Sequence, residues 1–275
     1  MSNADRASCA RTLVIPMYRE AARIAGTIRT LAASSLNDPG TDIILVDDAS
    51  DDDTGAVARA ALAATALKAS ILRLERNQGK GGAVRVGVLA SAGRVVAFSD
   101  ADLSAGVTEI AKCFAVVESG RAQVVCSSRA MATSVIPVRQ PRLRELSGKA
   151  FNLALRFLGL TRFRDTQCGL KVFTREAALR LFEQLSVTGF AFDVELLLLA
   201  EDLGLRVEEV PVEWRHVEES RVRPMRDGLA MLRDALRIRL ARGTRSRRLP
   251  AVARDETLAS AATPERDHER LRVKR

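Results

Sequence analysis

The chain has 275 residues and a net charge of +9, with 47% apolar and 28% charged residues. That is enough for a real core in one large domain or two small ones, and it excludes a disordered chain, a collagen and a disulfide miniprotein. No apolar run approaches the ~18–20 residues of a membrane-spanning helix, and Met1 to Arg11 lacks the apolar stretch of a signal peptide. The four cysteines (Cys9, Cys113, Cys126, Cys168) are scattered without a CxxC pair, which predicts reduced thiols in a cytoplasmic protein. Two histidines alone, His216 and His268, argue against a zinc enzyme and most His-based triads.

The first half alternates short apolar runs with helical patterns. Thr12–Ile15, Ile43–Val46, Ser70–Leu74, Arg94–Phe98 and Gln123–Cys126 read as strands. Between them Ala21–Leu31, Gly55–Leu67, Lys80–Ala90 and Val107–Glu118 have helical period. Strands of four to six residues alternating with such helices predict βαβ units and a mostly parallel sheet. Runs such as Ile43–Val46 are continuously apolar, as buried parallel strands are. Ligands then bind beyond the carboxyl ends of the strands.

The second half reads differently. Met131–Pro141 has two prolines and no period, which predicts a mobile loop. Leu143–Phe157 and part of Gly189–Leu203 are helical, and Arg162–Gly169 is a polar connector. Val207–Trp214 reads as a strand that Pro211 places at an edge. Met225–Arg242 forms an amphipathic pattern, with Met225, Leu229, Leu232, Leu236 and Leu240 on one face. Beyond Gly243 a polar tail of residues 243–275 is expected to be disordered. Charge follows the same division. Arg215 to Arg275 holds 17 Lys and Arg against 9 Asp and Glu, while the first 214 residues hold 26 and 25. A basic C-terminal segment suits a membrane surface, nucleic acid or phosphate ligands, unless it is a solvated tail.

Acidic residues gather where strands end. Asp47 and Asp48 follow one strand, Asp100 and Asp102 another, and Glu20 the first. In a parallel sheet these carboxylates converge on one rim. Asp51 to Asp53 read as turn and cap residues. Two carboxylates separated by Ala101 suit a hard divalent cation, Mg²⁺ or Mn²⁺, which could neutralise a departing diphosphate. Gly79-Lys80-Gly81-Gly82 is not a Walker A loop, because no Ser or Thr follows Lys80. Its glycines would let backbone approach a ligand at the next helix N-terminus, or form a plain turn. Arg129, after a further strand end, suits bidentate phosphate binding, as do the loop arginines Arg139, Arg142 and Arg144. Asp193 is either a cap-type residue or a site carboxylate, and Cys168 reads as a core thiol.

These residues sit in motifs that match a known family. VIPMYRE (Val14–Glu20), ILVDDASDDDT (Ile44–Thr54), NQGKGGAVRVG (Asn77–Gly87) and SDADLS (Ser99–Ser104) come first. SSRA (Ser127–Ala130), RDTQCGLKVFTREAA (Arg164–Ala178), FAFDVELL (Phe190–Leu197) and VPVEW (Val210–Trp214) follow. In this order the chain resembles the family 2 inverting glycosyltransferases of the GT-A fold. Within them it is most similar to the dolichyl-phosphate β-glucosyltransferases, with the polyprenyl-phosphate mannosyltransferases related. The resemblance implies a Rossmann-like, mixed but mostly parallel sheet flanked by helices, over residues 11–242, with a C-terminal amphipathic helix.

It also implies roles. Pro16, Tyr18, Glu20, Val46 and Asp48 would hold the nucleoside. Asp100, Ala101 and Asp102 would contact the donor and a Mg²⁺ or Mn²⁺ ion. Arg129 would face a diphosphate or acceptor phosphate, Lys80 would reach the donor, and Arg221 would bind phosphate. The implied reaction moves glucose from UDP-glucose to a polyprenyl phosphate, although DADLS is also a mannosyl-side form. A lipid phosphate is already an anion and needs orientation more than a base. A soluble hydroxyl acceptor would need one, and Asp193 is the candidate. The implied place is the cytoplasmic membrane face, held by Met225–Arg242 and the basic tail. A nucleic-acid-binding protein is the remote alternative, with 4% aromatic residues giving it little to stack on.

Overall fold

Six strands of one seven-stranded sheet run the same way and a single strand runs against them. The computed structural model describes residues 9–138, 140–217, 233–235 and 237–238. The chain divides after Arg237, and all elements named below lie before that point.

The strands are β1 (Arg11–Met17), β2 (Thr41–Asp47), β3 (Ala69–Arg73), β4 (Val95–Phe98), β5 (Val124–Ser128), β7 (Lys171–Thr174) and β8 (Val207–Pro211), in the order β3-β2-β1-β4-β7-β5-β8. β7 is antiparallel to both β4 and β5. The expected mixed, mostly parallel sheet is present, and β8 with its Pro211 is at the edge. A second, two-stranded sheet pairs β6 (Val135–Val138) with β9 (Glu213–Arg215) in parallel.

The helices that accompany the sheet among the described residues include α1 (Ile24–Ala32), α2 (Thr54–Ala63), α3 (Lys80–Ala90), α4 (Gly106–Glu118), α5 (Arg142–Phe157), α6 (Arg175–Gln184) and α7 (Phe192–Asp202). Side chains alternate across each strand, so one strand feeds two layers. Leu13, Ile15 and Met17 join Ile24, Ile28, Ile110 and Phe114 on one face. Val14, Val46 and Phe98 join Val84, Phe182 and Phe192 on the other. Phe98 packs on Phe173, Phe182 and Phe192 with ring centroids 5.5–6.4 Å away. This apolar block lies beneath the carboxyl end of β4.

Three expectations are corrected. Met131–Pro141 is not wholly irregular, because Val135–Val138 finds hydrogen-bonding partners in β9. α2 stops at Ala63, short of Leu67. The stretch 171–184 holds an unforeseen strand and helix, joined at Thr174, whose side chain accepts from the Ala177 N–H and caps α6. Arg139, Arg221 and the tail at 243–275 lie outside the described residues, as does most of Met225–Arg242.

Candidate active site

Three loops leave the carboxyl ends of β1, β2 and β4, and each contains a non-glycine residue with positive φ: Arg19 at 54°, Ala49 at 54° and Leu103 at 48°. L-residues adopt that region at a cost and keep it where surroundings demand it, often at functional sites. The expected acidic rim is therefore built on strained turns.

Asp47 is a structural carboxylate. It is fully buried, pairs with Arg73 and accepts the Ser50 N–H at 2.9 Å. Asp48 bridges β2 to the turn before α3, accepting the Gln78 N–H at 2.7 Å and the Gly79 N–H at 2.9 Å on its two oxygens. Burial raises its pKa, and those two N–H groups oppose the rise. Pro16 and Val46 are register partners on neighbouring strands. The Val46 side chain lies wholly in the core, so it supports the floor of the rim. Glu20 pairs with Arg23 at 2.7 Å, and the Arg19 guanidinium covers the Tyr18 ring.

The glycine-rich turn is not an open phosphate cradle. A Cβ on Gly81 would meet Phe192 Cβ at 2.7 Å, and the Gly82 N–H donates to the Thr188 carbonyl at 3.2 Å. These glycines let α3 press against the segment leading into α7. What the turn delivers is Lys80, whose ammonium meets Asp100 Oδ1 at 2.5 Å. Ala101 is buried, and its carbonyl accepts the Thr27 hydroxyl at 2.6 Å. Asp102 accepts the Ser104 N–H at 2.9 Å. Its pKa is raised by burial first and by the Asp100 charge second. Bringing a cation to this pair would relieve both effects.

The connector Arg162–Gly169, unremarkable by composition, proves central. Asp165 holds Arg129 through Nε at 2.7 Å, Nη2 at 2.9 Å and the backbone N–H at 3.0 Å. The Arg129 guanidinium also lies over Trp214, 5.3 Å from the ring centroid. Burial pushes the Asp165 pKa up, but Arg129 more than offsets it and the net shift is downward. Gly169 abuts Asp100, with a Cβ there falling 2.0 Å from Oδ2.

Lys171 closes the connector from below. Its ammonium is fully buried and donates to the Thr166 carbonyl at 3.1 Å, the Cys168 carbonyl at 3.0 Å and Asp193 Oδ1 at 2.6 Å. All three of its donors are used. Burial works against its charge, yet Asp193 keeps it protonated. Asp193 at the start of α7 is thus the partner of a buried lysine. Glu195, two residues on, accepts the Ser186 and Val187 N–H groups. The four cysteines are free and buried, and burial pushes the Cys113 thiol up to about 12, which fits unreactive core thiols.

Together these side chains alternate in sign. Asp100 pairs with Lys80, which also feels Asp193; Asp193 pairs with Lys171, which also feels Asp165's field; Asp165 pairs with Arg129. Three carboxylates and three cations form one network under the rim. Sequence reasoning found Asp100, Lys80, Arg129 and Asp193 individually. It missed Asp165, Gly169 and Lys171 as site-building residues, although all three lie in the RDTQCGLK motif.

The chain is similar to known proteins in sequence and in fold. Residues 12–183 match the family model described as glycosyl transferase family 2. The dolichyl-phosphate beta-glucosyltransferase of Homo sapiens is 34% identical over 83% of this chain and 74% of its own length. That of Dictyostelium discoideum is 33% identical over 83% and 73%. Among solved structures, glucosyl-3-phosphoglycerate synthase from Mycobacterium tuberculosis, in complex with Mn²⁺, UDP and glucosyl-3-phosphoglycerate, superposes with a TM-score of 0.62. It is 24% identical, covering 87% of this chain and 81% of that one, and shares the fold. By its match to the family model over residues 12–183 and its identity to these relatives, the chain belongs to glycosyl transferase family 2 and is a transferase.

Proposed function

We propose that the chain moves glucose from UDP-glucose to a polyprenyl, dolichyl-type phosphate with inversion at the sugar. The observation that carries this reading is the charge network ending in Asp100 on one side and Arg129 on the other. The named relatives use a dolichyl phosphate acceptor, and the fold neighbour is seen with UDP.

The rim fits a divalent cation. Asp100 and Asp102 are hard oxygen donors, and Asp100 Oδ1 already attracts one cation, the Lys80 ammonium. In this reading Asp100 and Asp102 would hold Mg²⁺ or Mn²⁺, which would supply charge neutralisation for the departing diphosphate. Lys80, released from Asp100, turns to the donor phosphates. Pro16, Tyr18, Glu20 and Asp48 shape the nucleoside end. Arg129, fixed by Asp165, orients the acceptor phosphate. An acceptor oxygen attacks the anomeric carbon from the face opposite the diphosphate, and the sugar–phosphate bond breaks with its electron pair leaving on UDP. No proton needs to be removed from a phosphate anion. Asp193 is 2% exposed and tied to Lys171, which supports an acceptor needing no base over a soluble hydroxyl. Arg221 and peripheral attachment through Met225–Arg242 and the tail complete the proposal from sequence.

The test is transfer of labelled sugar from UDP-glucose, and separately GDP-mannose, into an organic-extractable product with a polyprenyl phosphate and Mg²⁺ or Mn²⁺. Label from UDP-glucose, lost in Asp102→Ala, supports the reading. Label from GDP-mannose alone moves the donor to the mannosyl branch. Donor binding without lipid label removes the lipid acceptor.

A further inference from the structure

Glu195 is a buried carboxylate, 6% exposed, that the charge network under the rim does not use. Its partners are three donors of one short segment. Oε2 accepts the Ser186 N–H at 3.0 Å and the Val187 N–H at 2.7 Å, and Oε1 accepts the Ser186 hydroxyl at 2.6 Å. Burying a carboxylate costs free energy, and these three bonds offset it.

Residues 185–188 belong to no helix or strand, so their N–H groups have no ladder to join. Glu195 takes two of them and fixes the segment against the first turn of α7. The other side of the segment seats the glycine turn. The Thr188 carbonyl accepts the Gly82 N–H at 3.2 Å. A Cβ on Gly79 would fall 2.8 Å from that carbonyl, and one on Gly81 would fall 2.9 Å from the Val187 carbonyl. Val187 thus gives its N–H to Glu195 and turns its carbonyl to Gly81. Contact this close leaves no slack, so a shift of the segment is a shift of the turn.

The turn is therefore held on two sides. Asp48 takes the Gln78 and Gly79 N–H groups in front, and residues 186–188 press on Gly79, Gly81 and Gly82 from behind. Lys80 leaves the chain between these supports, with its ammonium on Asp100. A lysine stem is flexible, so where its ammonium can reach is set by where its backbone is fixed.

We infer that Glu195 is a positioning residue for Lys80, acting through residues 186–188 and the glycine turn. Asp193, in the same helical turn, has the corresponding part on the other side of the site. It holds Lys171, whose ammonium also takes the Thr166 and Cys168 carbonyls of the connector that contains Asp165. The first turn of α7 fastens the seat of Lys80 with one carboxylate and, through Lys171, the seat of Arg129 with the other. The consequence for a nucleotide sugar rests on the proposed transfer reaction, whereas the link from Glu195 to Lys80 does not.

The test reads UDP-glucose binding to the full chain by calorimetry, with Mn²⁺ and without acceptor. Glu195→Leu removes both acceptor atoms. Glu195→Gln can accept the two N–H groups on its oxygen and donate to the Ser186 hydroxyl. Ser186→Ala withdraws one donor only. Kd rises about tenfold in Glu195→Leu, rises less in Ser186→Ala and keeps its wild-type value in Glu195→Gln. In a Lys80→Met background neither Glu195→Leu nor Ser186→Ala raises Kd further, because the positioned group is gone. A Glu195 that serves the core alone would lower the melting temperature and leave Kd unchanged, or add its loss in full to that of Lys80→Met. Either result overturns the inference. If Glu195→Leu does not fold, Ser186→Ala decides by the same cycle, and a wild type that takes only GDP-mannose is measured with that donor. Because donor binding alone is read, a wild type that binds UDP-glucose without labelling lipid counts against the reaction and not against this inference.

Discussion

Arg129 and Asp165 grip each other in a fork, with Nε and Nη2 on the two carboxylate oxygens and the Arg129 backbone N–H on one of them. Two guanidinium nitrogens and one face of the guanidinium plane, which lies over the Trp214 ring, are thereby committed. Nη1 is left as the nitrogen available to an anion. Asp165 is itself held from behind, because its N–H donates to Glu209 at 3.1 Å and its Oδ1 accepts the Gln167 N–H at 3.1 Å. The arginine is aimed by β5, the connector and β8 together, which is how a long flexible side chain becomes a fixed donor.

Asp165→Asn breaks the aim without removing bulk. The amide offers one acceptor where Arg129 needs two, and its NH₂ opposes a guanidinium N–H. The expected result is a fall of about a hundredfold in kcat/KM for the acceptor phosphate, with a smaller change for the nucleotide sugar. Arg129→Lys shows a similar loss, since an ammonium cannot reproduce the fork. Steady-state kinetics with each substrate varied in turn is the check.

Much of this site was legible in the residues, and what was not has a physical reason. Buried parallel strands announce themselves by continuous apolar runs, so Ile43–Val46 and Arg94–Phe98 led directly to the carboxylates that follow them. β7 could not be read this way. A central strand beginning with Lys171 violates the apolar pattern, and only Asp193, 22 residues later, makes the buried charge tolerable. β6 contains Pro137 and has no period; it exists because β9 lies beside it. The purpose of the glycine turn was hidden for the same kind of reason, since Phe192 and Thr188, its packing partners, are more than a hundred residues away.

Lys171→Met leaves the Asp193 charge buried without its partner, and such a loss costs about 3–5 kcal/mol. Adding Asp193→Leu removes the stranded charge and should restore most of the stability in urea melts. Activity should stay low in the double variant, because the Thr166 and Cys168 carbonyls still lack their donor and the connector loses its anchor. A double variant with restored stability and full turnover would show that Lys171 serves the core alone.

The Asp165 carboxyl is depressed despite its burial, because Arg129 outweighs desolvation. Its contribution to stability is therefore complete above the unfolded carboxylate value of ~3.9 and is lost as pH falls through the lower folded value. Asp165→Asn lacks this contribution at every pH. The difference in melting temperature between wild type and Asp165→Asn should be constant near neutrality and shrink below about pH 4. Thermal melts from pH 7 down to the acid limit measure it.

Two glycines give opposite signatures when replaced by alanine. A Cβ on Gly87 would fall 2.4 Å from Val14 Cγ1 and 2.8 Å from Val46 Cγ2, in the packed layer between α3 and the sheet. Neither valine can retreat, so Gly87→Ala costs about 1–3 kcal/mol of stability through overpacking. A Cβ on Gly169 would fall 2.0 Å from Asp100 Oδ2, the free end of a side chain that is 36% exposed. Asp100 can swing away into solvent, so Gly169→Ala melts within about 1 kcal/mol of wild type. The swing takes Asp100 from Lys80 and from the place where it would meet a cation, so turnover falls by about tenfold to a hundredfold. Calorimetric Mn²⁺ binding in the presence of UDP should weaken in Gly169→Ala and hold in Gly87→Ala at temperatures where both are folded. Equal metal affinity in the two variants would mean that Asp100 holds no metal, and that Gly169 serves only to close the connector against β4.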